Sequence, residues 1–508
     1  MSDWTAGYVA DIGYTYGYYN ELNPLRSELL FLNAGIVPPP NGTHCELGFG
    51  QGMSVNIHAA ATGATWYATD FNPSQAAFAK SLAEESGADA HLFDEAFADF
   101  CTREELPDFD SIGLHGIWSW ISDENRAVIV DFVRRKLKVG GVVYISYNTQ
   151  PGWAAMAPFR DLLTEHASVM GVSGKGIVNR IDEALAFADQ LMAANPLYAR
   201  ANPSVSERLN GLKGQNRHYL AHEYFNRDWL PMSFSRLAEW LAPAKVDYAC
   251  SATYLDHLDA INVSVEQQAI LNAIPDKMFR ESVRDFCVNQ QFRRDYWIKG
   301  ARKLHALERI EAIRAYALVL ISEPSSIKMK ATGALGEADL QEQVYRPFIE
   351  ALADYQPKTL GELEQLFAGQ LTLSQLVQAA IVLTGNGVLQ PAQSAETIAK
   401  MRDTTARLNA ALIEKARDNG EMSYLVSPVT GGGITVSRFE LLFLRAYRQG
   451  HTSPEAWANE VWEILKSLGQ RLLKDGKPLQ TDAENLADLT AQATAFGQKL
   501  PLFEALQL

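Results

Sequence analysis

The sequence predicts an α/β protein with a doubly wound, mostly parallel sheet, a helical insertion and a mainly helical C-terminal half. Short apolar runs alternate with helix-length amphipathic segments from about residue 43 to residue 263, which is typical of a parallel sheet covered on both faces. The alternation stops after residue 153 and returns near residue 230. Beyond residue 266 helical patterns dominate. A chain of 508 residues is also long enough for more than one hydrophobic core, because domains average roughly 150 residues.

The elements of the predicted sheet follow in order along the chain. The β-like runs lie at 44–47, 65–68, 111–114 and 142–146, with another candidate strand ending before Asp94. The helices between them are predicted at 54–62, 73–86 and 123–137. Asn72 is the expected N-cap of the second helix, and Gly140-Gly141 is expected to stop the third before the fifth strand. After helix 234–241, strands at 246–251 and 261–264 are close enough in sequence to pair antiparallel.

The predicted domains divide the chain into three parts. Residues 1–265 form the domain of the sheet, with the helical insertion at about 153–230; residues 266–345 form a helical linker or regulatory region; and residues 346–508 form a C-terminal regulatory domain. Thr359 and Thr372 each open a short helix before a Gly385-Asn386-Gly387 turn, an order that resembles a winged helix. The second of these helices carries no basic residue, so packing or protein contact is favoured over DNA binding.

Composition excludes several classes of function. The formal net charge of −15, from 60 acidic and 45 basic residues, repels nucleic acid and anionic lipid. The four cysteines lie far apart without the spacing of a zinc site or a disulfide framework, so neither is expected. No leader pattern and no apolar run near 20 residues is found, which predicts a cytoplasmic protein without membrane insertion.

The strongest motif is a glycine-rich turn directly after the first predicted strand. It reads Glu46-Leu47-Gly48-Phe49-Gly50-Gln51-Gly52, so an acid precedes three glycines at alternate positions. Such glycines let a cofactor approach the backbone and leave helix N–H groups pointing outward. The dinucleotide pattern G-x-G-x-x-G fails because Met53 stands where its third glycine belongs, and no P-loop Lys-Ser/Thr pair follows.

Acidic residues follow the next two strands. Asp70 stands where a carboxylate can bind both hydroxyls of a ribose, and the adjacent Phe71 can stack on adenine. The alternative for Asp70 is a cap for the helix that follows. Asp94 and Glu95 come after the third strand, where an adenine amino group needs an acceptor. The sequence does not rank these two acids, and either can be a solvated loop residue.

With these motifs the chain resembles the class I S-adenosylmethionine-dependent methyltransferases. It resembles more closely the bacterial protein-lysine methyltransferases that carry a methyltransferase regulatory domain. The residues that carry the closer resemblance are Asp11-Ile12-Gly13-Tyr14-Thr15-Tyr16-Gly17-Tyr18-Tyr19, Leu22-Asn23-Pro24, 46–52, 115–122, Tyr147-Asn148-Thr149, Pro151-Gly152-Trp153 and 427–433. The resemblance implies a Rossmann-like, seven-stranded sheet and S-adenosyl-L-methionine as cofactor.

The resemblance also implies roles for single residues. Gly48, Gly50 and Gly52 receive the methionine and ribose part of the cofactor, Glu46 helps to fix their turn, and Asp70 holds the ribose. Methyl transfer is an in-line displacement on an activated sulfonium, so the protein has to align the reactants and exclude water. A lysine acceptor reacts only as the neutral amine, so the site should desolvate it or supply a proton acceptor.

Two clusters can provide the acceptor site, because ligands bind at the carboxyl ends of the strands in such sheets. After the fourth strand, His115 is either a neutral histidine contacting adenine or backbone, which we favour, or a general base. Trp118 and Trp120 either line the pocket or pack in the core. After the fifth strand, Tyr147 or Asn148 can orient the amine. Trp118 or Trp153 can hold an ammonium group against the ring face.

The N-terminal segment contains Tyr14, Tyr16, Tyr18 and Tyr19, with glycines at 13 and 17 as flexible points. We expect it to fold over the cofactor as a lid, with a phenol such as that of Tyr16 touching the methionine carboxylate. The alternative is a helix that packs on the sheet edge. His222-Glu223 is dismissed as a metal site, because H-E-x-x-H needs a second histidine where Asn226 stands. No metal ligand set is therefore predicted.

Three functions remain open from the sequence. The first is a protein-lysine N-methyltransferase whose partner is a protein with exposed lysines, for example a cell-surface protein before export. The second is a methyltransferase for a small metabolite or a surface-polysaccharide sugar. The third is a non-catalytic regulatory protein that binds S-adenosylmethionine. The sequence leaves open whether the chain forms a homodimer.

Overall fold

The computed structural model of this protein describes residues 14–171, 174 and 176–508, so the motif residues 11–13 lie outside the described residues. Within them the centre is a seven-stranded sheet. Its strands are β1 (Thr43–Leu47), β2 (Thr65–Thr69), β3 (Ala90–Phe93), β4 (Phe109–Leu114), β5 (Leu137–Asn148), β6 (Asp247–Ser251) and β7 (Phe292–Ile298). Their order is β3-β2-β1-β4-β5-β7-β6, with β1 to β5 parallel and β7 antiparallel to both neighbours.

The helices of this part alternate with the strands and then form an insertion after β5. They are α1 (Pro24–Asn33), α2 (Met53–Thr62), α3 (Pro73–Ser86), α4 (Phe97–Phe100), α5 (Asp123–Lys136), α6 (Ala157–Val169), α7 (Ile177–Ala193), α8 (Leu197–Ala201), α9 (Pro203–Lys213), α10 (Arg217–Tyr224) and α11 (Phe234–Leu241). The predictions for α2, α3, α5, α11 and the insertion are confirmed. Asn72 Oδ1 accepts the N–H of Ser74 at 3.0 Å, which confirms the predicted cap of α3.

Two predictions about the strands are wrong. Residues 261–264, expected to form a strand, overlap the short helix α12 (Asp259–Asn262), and the strand that pairs with β6 is β7. The sheet therefore continues past residue 265, where the sequence analysis ended its domain. The apolar pattern of β7 is masked by the charged residues Arg293, Arg294 and Asp295. The fifth strand also begins at Leu137, ahead of Gly140-Gly141, which was expected to precede it.

The C-terminal half is mainly helical, as predicted. Its helices are α13 (Val265–Ala273), α14 (Lys277–Cys287), α15 (Ala306–Ala315), α16 (Glu342–Ala351), α17 (Leu360–Leu366), α18 (Leu373–Gly385), α19 (Ala395–Lys415), α20 (Arg438–Arg448), α21 (Pro454–Ser467) and α22 (Asp482–Ala505). Its strands are β8 (Ala317–Leu320), β9 (Lys330–Gly333), β10 (Gly336–Asp339), β11 (Lys358–Thr359), β12 (Leu389–Pro391), β13 (Tyr424–Ser427), β14 (Gly432–Thr435), β15 (Leu473–Lys474) and β16 (Lys477–Pro478).

The predicted helix, helix, turn, strand order is found in α17, α18 and β12. Thr359 and Thr372 cap the two helices, each in a capping box with the residue three positions on. The strands β11 and β12 flank β8, which comes from earlier in the chain. The comparison with a winged helix stays a prediction.

The C-terminal half packs directly on the helix that follows the glycine turn. All ten residues of α2 are buried, and Met53, Ile57 and Ala60 share one core with residues of α19, α20 and α22. The Nδ2 of Asn23 donates to the carbonyl of Gly431 at 2.9 Å, which joins the start of α1 to the turn between β13 and β14. No helix in the described part of the chain is long and apolar enough to cross a bilayer.

Candidate active site

The glycine turn joins β1 to α2 at the carboxyl end of the sheet. Gly48, Gly50 and Gly52 all have positive φ, at 76°, 57° and 71°, which only glycine adopts without strain. A Cβ on Gly52 would lie 2.4 Å from the Cβ of Ala79 in α3, so this glycine lets α2 and α3 approach. The turn and the loops after β2, β3 and β4 line one cavity of about 1210 Å³, counted out to its open mouth.

Two carboxyl groups lie beside this turn. Asp70 Oδ2 accepts the N–H of Gly50 at 2.8 Å and Oδ1 accepts the N–H of Asn72 at 3.0 Å, so Asp70 fixes the turn and lines the cavity. Glu46 was expected to fix the turn, but the carboxylate that accepts the N–H of Gly50 belongs to Asp70. The side chain of Glu46 is 2% exposed, and its Oε2 has no hydrogen-bond partner among the described residues.

Burial changes the acidity of both carboxyl groups. Desolvation raises the pKa of Glu46 to about 8, with the nearby Asp70 adding to the effect. Desolvation also raises the pKa of Asp70 to about 6, although its two backbone hydrogen bonds oppose the rise. A cationic ligand would stabilise both ionised forms.

Residues after β2 and β3 form the next part of the cavity wall. Phe71 and Glu95 both line it, together with Phe97 at the start of α4. Glu95 forms an ion pair with Arg103, and its Oε2 is buried without a hydrogen-bond partner in the part of the chain described. Asp94 is more than half exposed, pairs with Lys80 at 3.4 Å and does not line the cavity. Of the two acids that the sequence left unranked, Glu95 is therefore the one at the cavity.

The four tyrosines of the N-terminal segment divide into two pairs. Tyr14 and Tyr19 line the cavity, and the carbonyl of Tyr14 accepts a bond from Gln51 of the glycine turn at 3.1 Å. Tyr16 packs edge-on against Phe78 and lies outside the lining. Tyr18 bonds to His58 at 3.1 Å. Tyr14 and Tyr19 are thus the tyrosines at the cavity, whereas Tyr16 does not line it, and the lid stays a prediction.

After β4, His115 and Trp120 line the cavity. The ring of His115 stacks on Tyr19 with centroids 3.6 Å apart, and its Nδ1 lies 2.8 Å from the hydroxyl of Tyr144. Burial lowers the pKa of His115 to about 4, although Glu21 opposes the shift, so the ring is neutral near pH 7. This geometry agrees with the neutral histidine favoured above. Trp120 is almost fully buried, and within the described chain its Nε1 has no hydrogen-bond partner.

Three residues predicted at the acceptor site lie elsewhere. Trp118 is fully buried against Met232 and Trp240, so core packing is the correct alternative for it. Tyr147 is also fully buried, and its hydroxyl donates to Asp295 at 3.1 Å. Trp153 belongs to the core of the insertion, where it lies under Arg208 and against Trp229.

The alternation of β5 explains the position of Tyr147. Tyr144 and Ser146 contact His115 and Gly116, on the face of the sheet that adjoins the cavity. Side chains alternate along a strand, so Tyr147 points to the opposite face. Asn148 shares the face of Ser146, is 4% exposed and has an Nδ2 without a partner in the described residues. Its proposed role in orienting an amine stays a prediction.

Because the Tyr147 hydroxyl is buried away from the cavity, we expect its removal to affect stability. Replacing Tyr147 with phenylalanine removes its bond to Asp295, which is also held by Arg293 at 2.8 Å. We expect the free energy of unfolding to fall by about 1 kcal/mol, the usual contribution of a buried hydrogen bond. We expect the methyl-transfer rate to stay unchanged. Chemical denaturation and a turnover assay would check this, and a large loss of rate at wild-type stability would return Tyr147 to the active site.

Sequence reasoning missed one wall of the cavity, which comes from the insertion. His222, Glu223, Arg227 and Asp228 line it, and the His222 ring lies edge-on to Tyr14 with centroids 5.0 Å apart. Desolvation raises the pKa of Glu223 to about 7. The His-Glu pair was the available signal, but it was tested only as a metal motif. No group of His, Cys, Asp and Glu suited to a metal ion occurs in the residues that the structure describes.

Comparisons with known proteins agree with this geometry. Residues 216–299 match the family described as "Predicted methyltransferase regulatory domain". The chain is 43% identical over 511 residues to protein sll1526 of Synechocystis sp., with 99% of each chain covered. It is 29% identical over 205 residues to protein RP789 of Rickettsia prowazekii, covering 38% of this chain and 35% of that one. Its fold is similar to that of PKMT2 from Rickettsia typhi in complex with AdoHcy, at a TM-score of 0.70 and 17% identity over 97% and 99% of the two chains.

The chain belongs to the same family as protein sll1526, and its residues 216–299 match the methyltransferase regulatory domain. Its seven-stranded sheet belongs to the class I methyltransferase fold, which it shares with PKMT2. The region that matches the regulatory family contains α10, α11, β6 and β7, so it includes two strands of the central sheet. The sequence analysis assigned a regulatory role to 266–345 and 346–508 instead, and that assignment stays a prediction.

The residues that line the cavity fit S-adenosylmethionine, the cofactor that the sequence predicts. Asp70, Glu95, Glu223 and Asp228 are the acids among the described lining residues, whereas Arg227 is the one arginine or lysine and pairs with Asp228 at 3.2 Å. Such a lining suits a cation and disfavours a triphosphate. The unpartnered Oε2 of the nearby Glu46 suits an ammonium group. Asp70 fits the ribose hydroxyls, and Phe71 and Glu95 fit the adenine.

Proposed function

We propose that this protein is an S-adenosylmethionine-dependent methyltransferase that transfers methyl groups to lysine side chains of a protein acceptor. The carboxyl of Glu223 carries the proposal. It lies in the cofactor cavity, is half-buried and has no hydrogen-bond partner among the described residues. Tyr14, Tyr19 and Trp120 line the same cavity. A lysine acceptor needs a carboxylate that accepts its proton and aromatic rings that exclude water, and this cavity has both.

The chemistry of an amine acceptor explains why this set matters. A lysine ammonium has an ordinary pKa near 10.4 and becomes a nucleophile only after it loses a proton. Aromatic walls remove water from the ammonium and lower its pKa. Burial raises the pKa of Glu223 to about 7, which is closer to the pKa of the amine, so this carboxylate can accept the proton. The cofactor, when bound, would supply an activated methyl group, and Asp70 and the glycine turn would hold it.

Two further observations support a protein acceptor. The net charge of −15 attracts a lysine-bearing partner. The fold is similar over nearly the whole chain to that of PKMT2 from Rickettsia typhi. The proposed location is the cytoplasm, where a protein could be methylated before export. A homodimer remains a proposal that sedimentation would test.

The decisive experiment is methyl labelling. The purified protein is incubated with methyl-labelled S-adenosylmethionine and a lysate of cells that lack it, and the products are separated by size and analysed by mass spectrometry. We expect label on lysine side chains of protein. Label confined to small molecules or sugars would support the second function considered from the sequence. Cofactor binding without any transfer would support a non-catalytic regulator.

Glu223→Gln tests the proton acceptor. We expect kcat to fall about 100-fold, in the range typical of a lost general base, with little change in cofactor affinity. In the wild type, activity should rise with pH through about 7 as Glu223 ionises, and this limb should be absent in the variant. The control is Glu239→Gln, at an exposed residue that pairs with Arg236 in α11. An unchanged rate and pH profile in Glu223→Gln would remove this residue from the mechanism.

A further inference from the structure

A second cavity adjoins the cofactor cavity on the side of the C-terminal half. It contains about 970 Å³ of empty space, counted out to its mouth. Tyr19 and His115 line both cavities, so the two meet at this stacked pair of rings. The remaining walls come from the N-terminal segment, from β7 and from the C-terminal half, including the strands β12, β13 and β14. Apart from Tyr19 and His115, the residues that line this second cavity are not part of the cofactor cavity.

Several polar groups in the second cavity are open to a ligand. Gln390 of β12 lines it and is 9% exposed, and none of the hydrogen bonds of the described residues involves its side-chain amide. The amide of Asn20 lines the same cavity, likewise without a side-chain hydrogen bond in the described chain. Both amides line the cavity and have donor and acceptor capacity to offer, so Gln390 and Asn20 are suited to a bound polar group.

The charged groups in this cavity form a neutral pair. Arg294 Nε lies 3.4 Å from Glu21 Oε1. Burial opposes the ionisation of Glu21, but Arg26 and Arg294 outweigh it and hold the pKa of Glu21 below its usual range. Arg294 is the one arginine or lysine among the described lining residues, and its charge is compensated by Glu21. An anionic ligand therefore finds no uncompensated cation there, whereas an N–H donor finds carboxylate and amide oxygens.

Aromatic rings complete the second cavity. Tyr424 of β13 and Tyr18 and Tyr19 of the N-terminal segment are half-buried and line it. Tyr18 and Tyr424 lie with ring centroids 5.7 Å apart. Rings of this kind pack against an aliphatic stem and tolerate a terminal ammonium at their faces. The neutral imidazole of His115 adds no positive charge at the junction with the cofactor cavity.

We propose that this second cavity, defined by Tyr19, Glu21, Arg294, Gln390 and Tyr424 and named here the acceptor chamber, receives the lysine side chain that is methylated. The C-terminal half is then part of the acceptor site. The inference rests on the proposed function, because it names the place where the lysine acceptor binds. The aliphatic stem of the lysine packs against Tyr19 and Tyr424, and its ammonium group first bonds to Gln390 and Glu21. For transfer the amine moves past Tyr19 and His115 into the cofactor cavity, where Glu223 accepts its proton.

Binding of a lysine analogue tests the acceptor chamber without relying on turnover. The probes are Nα-acetyl-lysine-N-methylamide and Nα-acetyl-norleucine-N-methylamide, which lacks the amine, each added to the full-length protein saturated with S-adenosylhomocysteine. Calorimetry and saturation-transfer NMR measure affinity. The variants are Gln390→Met, which removes the amide, and Tyr424→Leu, which removes the ring. The control is Tyr447→Leu, at a residue of α20 that is 37% exposed and outside the acceptor chamber.

We expect the wild type and the control to bind the lysine probe more tightly than the norleucine probe. Each of the two chamber variants should bind the lysine probe about tenfold more weakly, as for one lost interaction. Their melting temperatures and their affinities for S-adenosylhomocysteine should match the wild type. Wild-type affinity for the lysine probe in both variants overturns the inference. Absence of probe binding to the wild type, or equal binding of the two probes, also overturns it.

The two proposals fail in distinguishable ways. If the labelling experiment finds methyl-lysine but Gln390→Met and Tyr424→Leu keep the wild-type KM for the acceptor, the proposed function stands and the acceptor chamber is rejected. If no methyl-lysine forms and the variants still weaken binding of the lysine probe, the proposed function fails. The chamber is then supported as a site for an amine.

Discussion

Replacing Asp70 with alanine should lower the affinity for S-adenosylmethionine at least roughly 100-fold and leave the protein folded. The carboxylate makes two hydrogen bonds to backbone N–H groups, which leaves about two of its roughly four acceptor positions for the ribose hydroxyls. Hydrogen bonds to a charged group contribute about 1.5 to 3 kcal/mol each, so losing two of them corresponds to a change of this size. The loss of the bond to Gly50 also lets the glycine turn relax away from the cofactor.

Calorimetry with S-adenosylmethionine measures this effect, and thermal unfolding monitored by circular dichroism measures the fold. Asn72 continues to cap α3 through Ser74, so the variant should stay folded, with a melting temperature lowered by the loss of the two backbone hydrogen bonds that Asp70 accepts. The matched control is Asp94→Ala, because Asp94 follows the adjacent strand but pairs with Lys80 outside the cavity. The control should bind the cofactor as the wild type does. Wild-type affinity in Asp70→Ala would refute the ribose assignment and with it the orientation of the cofactor.

The parts of the site that could be predicted from sequence depend on short-range signals. Gly48, Gly50 and Gly52 sit in a turn that requires positive φ, and the residues on either side of the turn are enough to indicate it. Asp70 follows β2 directly, and parallel strands bring their carboxyl ends to one edge. Asn72 and Thr372 were recognised as caps because capping involves residues only two or three positions away.

The last strand of the sheet was missed because long-range pairing overrides its local pattern. Within β7, Arg293 forms ion pairs with Asp295 at 2.8 Å and Asp285 at 2.6 Å, and all three side chains are almost fully buried. Buried charges occur where they are paired, but the partner of a charge is not visible in a short apolar pattern. These charged residues therefore carry no local signal for a position inside a sheet.

The aromatic residues of the acceptor site could not be chosen from spacing. Trp118 and Trp120 are two residues apart in a short turn, and only Trp120 faces the cavity. Tyr147 differs from Ser146 and Asn148 by one position, which is enough to move a side chain to the other face of a strand. Glu223 reaches the cavity because the insertion folds back over the sheet, and no local signal fixes that placement.

Replacing Glu46 with glutamine should have opposite effects on stability and on cofactor binding. The pKa of Glu46 is about 8 in the folded protein without cofactor and near 4.5 when unfolded. Between these values the folded protein holds a proton that the unfolded chain has lost, so the free energy of unfolding falls as pH rises from 4.5 to 8. Glutamine removes this dependence. We expect the variant to melt at a higher temperature than the wild type at pH 8, with a smaller difference at pH 5.

Without cofactor the folded protein favours the protonated form of Glu46. Bound cofactor should favour the ionised form instead, because its ammonium group stabilises the carboxylate at the unpartnered Oε2. Glu46→Gln should therefore weaken S-adenosylmethionine binding about tenfold or more, as for a lost charged hydrogen bond. Binding to the wild type at pH 7 should also release a proton from Glu46, which calorimetry in buffers of different ionisation enthalpy detects. The variant should lose this release. The control is Glu28→Gln, because burial raises the pKa of Glu28 too, yet it lies in α1 and not at the strand end that leads into the glycine turn. Equal proton release by wild type and Glu46→Gln would mean that Glu46 stays protonated beneath the bound cofactor and contributes no charge to its recognition.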